Sequence, residues 1–174
     1  DTAVITHPHP DHQLGFRALF RSFNIGELWI GDRHHAQDEL QEILRMAEAQ
    51  GTRVVNLESR DINDYFSFCT NNKSIVLKVT YARFKLLLPG DAEIETEAGL
   101  AAYGDNLRAT VLKAGHHGSR TSTTEAFLAA IKPELILIPC GRKNQFGHPH
   151  LSVLKRIKKV LPETRVMRSD NHGL

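Results

Sequence analysis

The sequence predicts a single layered α/β domain spanning residues 1–174, and three observations carry that expectation. An apolar fraction of 41% with a formal charge of only +2 describes one globular domain with a real core, and excludes both a polycation and an acidic tail. Apolar runs of strand length alternate with apolar residues at helix spacing, with no repeat, low-complexity stretch or long linker between them. Four times, residues of metal-ligand type stand just past an apolar strand, and layered α/β folds gather their sites beyond strand ends.

The elements follow in order. Thr2–Thr6 reads as a strand rather than a signal peptide. Phe16, Leu19, Phe20 and Phe23 recur at i, i+3, i+4, i+7 and predict a helix. Ile25–Ile30 is a strand ending at Gly31. Leu40, Ile43, Leu44 and Ala47 mark an amphipathic helix stopped by Gly51, and Thr52–Leu57 is the next strand. Residues 58–73 read as polar and irregular. Ser74–Tyr81 and Phe84–Leu88 predict a hairpin turning near Ala82–Arg83. Ile94, Ala98 and Ala101 predict a helix, Ala109–Lys113 a strand, and Glu125–Ile131 a helix. Leu135–Ile138 is a buried strand, and Leu154, Ile157 and Leu161 line a final helix. The longest apolar runs, such as Leu86–Leu88 and Leu135–Ile138, are too short to cross a membrane. Cys69 and Cys140 lack CxxC spacing; two buried thiols are the plainer reading, and a single bridge stays open.

Histidine is the unusual residue. Seven of the ten fall in three short clusters. His7-Pro8-His9-Pro10-Asp11-His12 places three imidazoles and a carboxylate within six positions, a donor set that suits zinc and also manganese or iron. Pro8 and Pro10 stiffen that loop. Asp91 follows Pro89–Gly90 and reads either as the cap of a helix beginning near Ala92 or as a carboxylate bridging two ions. Glu93 reads as a first-turn residue complementing the helix dipole. In Gly115-His116-His117-Gly118-Ser119 one imidazole completes the second ion, His116 being favoured over His117, and Ser119 is a candidate for an anionic substrate. Ser122 reads as a capping box with Glu125. His148, with His150 beside it, is a substrate-side residue or a third ligand. His34, His35 and His172 read as surface histidines. Lys155, Arg156, Lys158 and Lys159 read as a solvated helix face, with a phosphate-facing stripe as the sharper alternative.

Charge is divided along the chain. Residues 1–112 hold 11 basic and 16 acidic side chains, a balance of −5; residues 113–174 hold 11 and 4, a balance of +7. Arg120, Arg142 and Lys143 stand beside the ligand motifs of the cationic part.

These motifs resemble the metallo-β-lactamase fold superfamily. Within it, the order of His7–His12, 71–74 (NNKS), Leu88–Glu93, Leu112–Ser122 and Cys140–His150 is most similar to the C-terminal extracytoplasmic domain of ComEC-type competence proteins. The resemblance implies an αββα sandwich, two divalent ions (Zn²⁺ or Mn²⁺), and hydrolysis of a phosphodiester, single-stranded DNA above all. It implies one site of His7, His9 and Asp91 and another of Asp11, His12, His116 and the shared Asp91, with Asp11, Asp91, His116 and His148 as the catalytic set. Domains of that family begin several strands earlier, so N-terminal strands are expected to be missing here. A further histidine ligand common in the superfamily has no counterpart between the HPHPDH loop and Asp91, since His34 and His35 come too early. The implied setting is the outer face of a membrane, reached through a longer parent chain; a soluble cytoplasmic or secreted hydrolase is the alternative. The alternatives in function are a hydrolase of small esters, lactones or amides, and a catalytically slow DNA-binding domain of a channel. Nothing in the sequence fixes an oligomeric state.

Overall fold

The computed structural model describes residues 1–31, 38–57, 66–67 and 74–172. His34, His35, Cys69 and 71–73 (NNK) lie outside the described residues. The chain forms two compact units, 1–75 and 76–174.

In the first unit, β1 (Thr2–Ile5), β2 (Glu27–Ile30) and β3 (Arg53–Asn56) pair in parallel, with Thr2 opposite Glu27 and Glu27 opposite Arg53. Parallel neighbours require crossovers. These contain the short α1 (Pro10–Gln13) and α2 (Phe16–Ser22) between β1 and β2, and α3 (Asp38–Gln50) between β2 and β3. Ile5, Phe20, Ile25, Leu28, Ile30, Leu40, Ile43 and Ala47 make the buried core, so in α3 the periodicity read from the sequence is the core-facing stripe. In α2 it is not: only Phe20 is buried, Leu19 and Phe23 are exposed, and Phe23 lies past the helix end. Gly51, at φ +72, ends α3 by turning the chain so that the Thr52 N–H donates to the Ala47 carbonyl at 2.9 Å. The Gln50 side chain accepts from Ile25 N–H and donates to the Phe20 and Phe23 carbonyls, tying the end of α3 to the β2 approach. Within the stretch predicted to be irregular, Phe66–Ser67 forms the two-residue strand β4.

The second unit is built on β5 (Ile75–Tyr81), β6 (Phe84–Leu88), β7 (Val111–Lys113), β8 (Leu135–Ile138) and β9 (Arg165–Arg168), consecutive in that order. The β5–β6 hairpin is antiparallel with Tyr81 opposite Phe84, as predicted, and β6 through β9 run parallel. Between the strands lie α4 (Ile94–Ala101), α5 (Glu125–Ile131) and α6 (Leu151–Val160). Leu87, Leu112 and Ile136 on the strands and Leu100, Phe127, Leu128, Ile131, Val153 and Ile157 on the helices are buried.

Mixed α/β architecture, with one parallel and one mixed sheet, agrees with the predicted class. Two expectations need correction. The helix at Leu154–Leu161 is not the last element, because β9 and α7 (Ser169–His172) follow it. It also buries Val153 and Ile157, while Leu154 is only half-buried. Cys140 is a free, half-buried thiol that donates toward Asp170 Oδ1 at 3.2 Å, as the plainer reading of the cysteines had it except for its partial exposure. Arg168 pairs with Asp170 and holds that carboxyl down at about 2.

Candidate metal centre

The first unit delivers its ligand-type residues directly from β1. His7 follows the strand and is 2% exposed, while His9 forms the extended N-cap of α1 and Pro10 occupies its first turn, where a missing N–H costs nothing. The turn brings the rings together, the His7 centroid lying 4.6 Å from His9 and 4.1 Å from His12. His12 Nε2 is 3.4 Å from an oxygen of the exposed Asp11. The His7 Nδ1 sits between two hydroxyls, Thr6 Oγ1 at 3.1 Å and Ser74 Oγ at 3.2 Å. Those contacts fix the ring's orientation through Nδ1, the second-shell arrangement that metal-binding histidines use.

The second unit contributes Asp91, His116, His117 and His148. Asp91 is 2% exposed in the turn after β6, with Lys113 Nζ 3.5 Å from Oδ1 and donating to the Gly90 carbonyl at 2.8 Å. It does not cap α4: the N-cap is Glu93, with no side-chain cap bond. His116 Nε2 and His117 Nε2 each lie 3.9 Å from a different Asp91 oxygen. Their Nδ1 atoms meet groups that can only accept, the Glu93 carboxylate at 2.9 Å and the Pro139 carbonyl at 2.8 Å. Each Nδ1 is therefore the donor of its contact, and each Nε2 is turned to the Asp91 side. The two histidines are equivalent in this respect, so His116 has no geometric advantage over His117. His148 lies with its ring 5.6 Å from His116 and 6.5 Å from His117. Burial, then the neighbouring imidazoles, lower its pKa, which keeps it neutral further into acid than a free histidine.

The Gly115–Gly118 turn is strained where the ligands sit. His116 and His117 adopt φ of +44 and +55, left-handed values that cost non-glycine residues about 1–2 kcal/mol each. Several contacts hold the turn there. Ser122 Oγ donates to the Gly115 carbonyl at 2.6 Å and the Ser119 carbonyl at 3.0 Å, which corrects its reading as a capping residue; Thr124 is the N-cap of α5. Glu97, fully buried in α4, accepts from the Thr123 and Thr124 N–H groups at 2.5 and 2.7 Å. Arg156 donates to the Ser122 and Thr123 carbonyls, so it is a brace for this loop and not part of a solvated face. Burial pushes the Glu97 carboxyl up, while the Thr124 and Thr123 N–H groups and the Arg156 charge oppose that shift.

Both glycines are sterically required. A Cβ on Gly115 would lie 2.8 Å from the Ala92 carbonyl oxygen, and one on Gly118, at φ +78, 2.7 Å from Pro149 Cβ. Gly118→Ala is expected to destabilise the chain by about 2–4 kcal/mol, the sum of overpacking and left-handed strain. Gly99→Ala, in α4 with open space around it, is expected to be neutral or stabilising by up to about 1 kcal/mol. Urea denaturation of both variants checks the contrast.

The remaining sequence candidates separate. Ser119 is buried with its hydroxyl 3.0 Å from Thr121 Oγ1. Arg120, Arg142 and Lys143 are exposed. Glu93 is the residue the sequence reading misassigned: its carboxylate receives both His116 Nδ1–H and the Thr121 hydroxyl, the latter at 2.7 Å. Lys113, Glu97 and Arg156 were missed as site residues because their partners lie 23–34 positions away in sequence.

The family model described as the Metallo-beta-lactamase superfamily matches residues 1–142. The chain is 34% identical to Competence protein ComA of Neisseria gonorrhoeae and 27% identical to ComE operon protein 3 of Bacillus subtilis (strain 168), each over 99% of this chain and 24% of the relative. It is 26% identical to Recombination protein 2 of Haemophilus influenzae over 90% of this chain and 20% of that protein. The chain thus spans about a quarter or less of the length of these curated relatives.

Proposed function

The chain belongs to the metallo-beta-lactamase superfamily, and from that premise we propose that it is a metal-dependent phosphodiesterase acting on single-stranded DNA in competence-type uptake. The observation that carries the reading is the donor set of each unit: the anchored imidazole of His7 in the first, and in the second a buried Asp91 carboxylate faced by the anchored imidazoles of His116 and His117. His7, His9 and Asp91 would hold one divalent ion; Asp11, His12, Asp91 and one of His116 and His117 would hold the other. Such ions polarise a phosphoryl oxygen and bring water's pKa toward neutrality. Arg120, Arg142 and Lys143 bind the flanking phosphates of the strand. His148, neutral near pH 7, takes or returns a proton at a ring nitrogen during the displacement. Among the described residues no helix is long and apolar enough to cross a membrane; placement at the outer face of one rests on the longer relatives named for competence.

Because Glu93 orients the His116 ring, Glu93→Ala is expected to weaken Mn²⁺ binding by about 10- to 100-fold if His116 is the ligand of the pair, read by calorimetry, with Glu93→Gln losing less. Equal affinity in all three proteins would remove Glu93 from that role.

A second reading has its own support. A cavity of about 350 Å³ in the second unit is lined by Leu86, Leu88, Leu137 and Met167 with Lys113 and Arg168 beside them, a size and polarity that suit a small ester or lactone. Labelled single-stranded DNA and a panel of lactones and esters, each offered in Mn²⁺ and in Zn²⁺, separate the two. Nicked DNA supports the phosphodiesterase. Turnover of the panel alone supports the small-molecule hydrolase, and salt-dependent DNA binding without products supports a binding domain.

A further inference from the structure

Phe146 is 65% exposed on the loop between β8 and α6, and the loop that carries it is braced. Asn144 Nδ2 donates to the Gly141 carbonyl at 2.8 Å and to the His148 carbonyl at 2.7 Å, while the His148 N–H donates to Asn144 Oδ1 at 2.8 Å. Gly147, at φ +69, makes the turn, and its N–H returns to the Asn144 carbonyl at 3.2 Å. A fixed loop that holds a benzyl ring in water gains no hydrophobic stabilisation from it. The ring is also aligned with the site. It stacks toward His148 at 5.8 Å and 28°, and His148 lies 13° from parallel with His117, one of the two imidazoles facing Asp91. Arg142, Lys143 and Gln145 on the same loop are exposed, and Arg142 is oriented by its Nε–H on the Asp170 carbonyl at 3.1 Å.

We propose that Phe146 is a stacking platform for one unpaired nucleobase beside the phosphodiester, and that it makes the site select single-stranded over duplex nucleic acid. The proposal rests on the phosphodiesterase reading and adds its specificity element. An aromatic face accepts any base, whereas a base inside a duplex already has both faces covered by its neighbours. Arg142 and Lys143 supply sequence-independent charge for the adjoining phosphates, so the loop as a whole reads strandedness and not sequence.

The test uses the 174-residue chain with Mn²⁺ and an end-labelled single-stranded oligonucleotide, followed by a series carrying one abasic position each. Phe146→Ala is expected to raise KM for the intact oligonucleotide about 10-fold, with Phe146→Trp near wild type and Phe146→Leu close to Ala. At one abasic position wild type and Phe146→Ala are expected to converge, and the preference over a duplex competitor is expected to shrink by a similar factor. Cleavage by wild type with an unchanged KM in Phe146→Ala, or full rescue by leucine, overturns the platform and leaves the phosphodiesterase standing. Neither binding nor cleavage of the oligonucleotide by wild type overturns both.

Discussion

Asp91→Asn is expected to lower metal-dependent turnover by about 10³-fold or more while leaving the fold intact. Asn matches Asp in size, so the buried turn after β6 is not emptied; only the charge and one acceptor oxygen are lost. In the proposed site that carboxylate serves both ions, so its loss forfeits several kcal/mol of charge stabilisation, at about 1.4 kcal/mol per tenfold in rate. Lys113, 3.5 Å from Asp91, makes the loss worse, because its ammonium would then face the ions without the intervening anion. His9→Ala, at an exposed position, is expected to cost activity without stability. The check is kcat in Mn²⁺ alongside circular dichroism. Turnover within tenfold of wild type in a folded Asp91→Asn protein would remove Asp91 from the chemistry.

Glu97→Ala is expected to destabilise the chain by about 3–5 kcal/mol, the cost of removing one member of a buried charged network. The substitution strands the Thr123 and Thr124 N–H groups and leaves Arg156 opposite an empty cavity. Glu97→Gln is expected to cost less, retaining one acceptor. The pH dependence has a definite sign. Burial raises the folded-state pKa of Glu97, so its contribution to stability is fully present below the unfolded carboxyl's pKa and is lost as pH rises through the raised folded value. Wild type is therefore expected to lose stability over that rise and Glu97→Gln to stay flat, as chemical denaturation across pH shows. An identical slope in both would exclude Glu97 as the source.

Much of this was legible in the sequence because periodicity and ligand spacing are local signals. The β5–β6 hairpin, α5 and β8 stand where apolar patterning placed them, and His7, His9, Asp91, His116 and His148 follow strand ends. Their supporting contacts were not legible, because each joins residues distant in sequence. Glu93 looks like any acidic residue at a helix start until its partner, 23 positions on, is placed beside it. Arg156 looks like one cation of a basic stripe, yet it reaches carbonyls 33 and 34 positions earlier. Ser122 fitted a local capping pattern, but the Gly115 carbonyl seven residues back won its hydroxyl proton. Phe146 matters by its exposure, which composition does not report.

The central claim is that two divalent ions act together on a phosphodiester, and titrating metal-stripped protein with Mn²⁺ while following cleavage of a single-stranded oligonucleotide tests it most directly. Activity is expected to be absent without metal, to rise to saturation at two equivalents per chain, and to vanish with EDTA and return on adding Mn²⁺. Cleavage that persists in EDTA, or two equivalents bound with the oligonucleotide left intact, would contradict it.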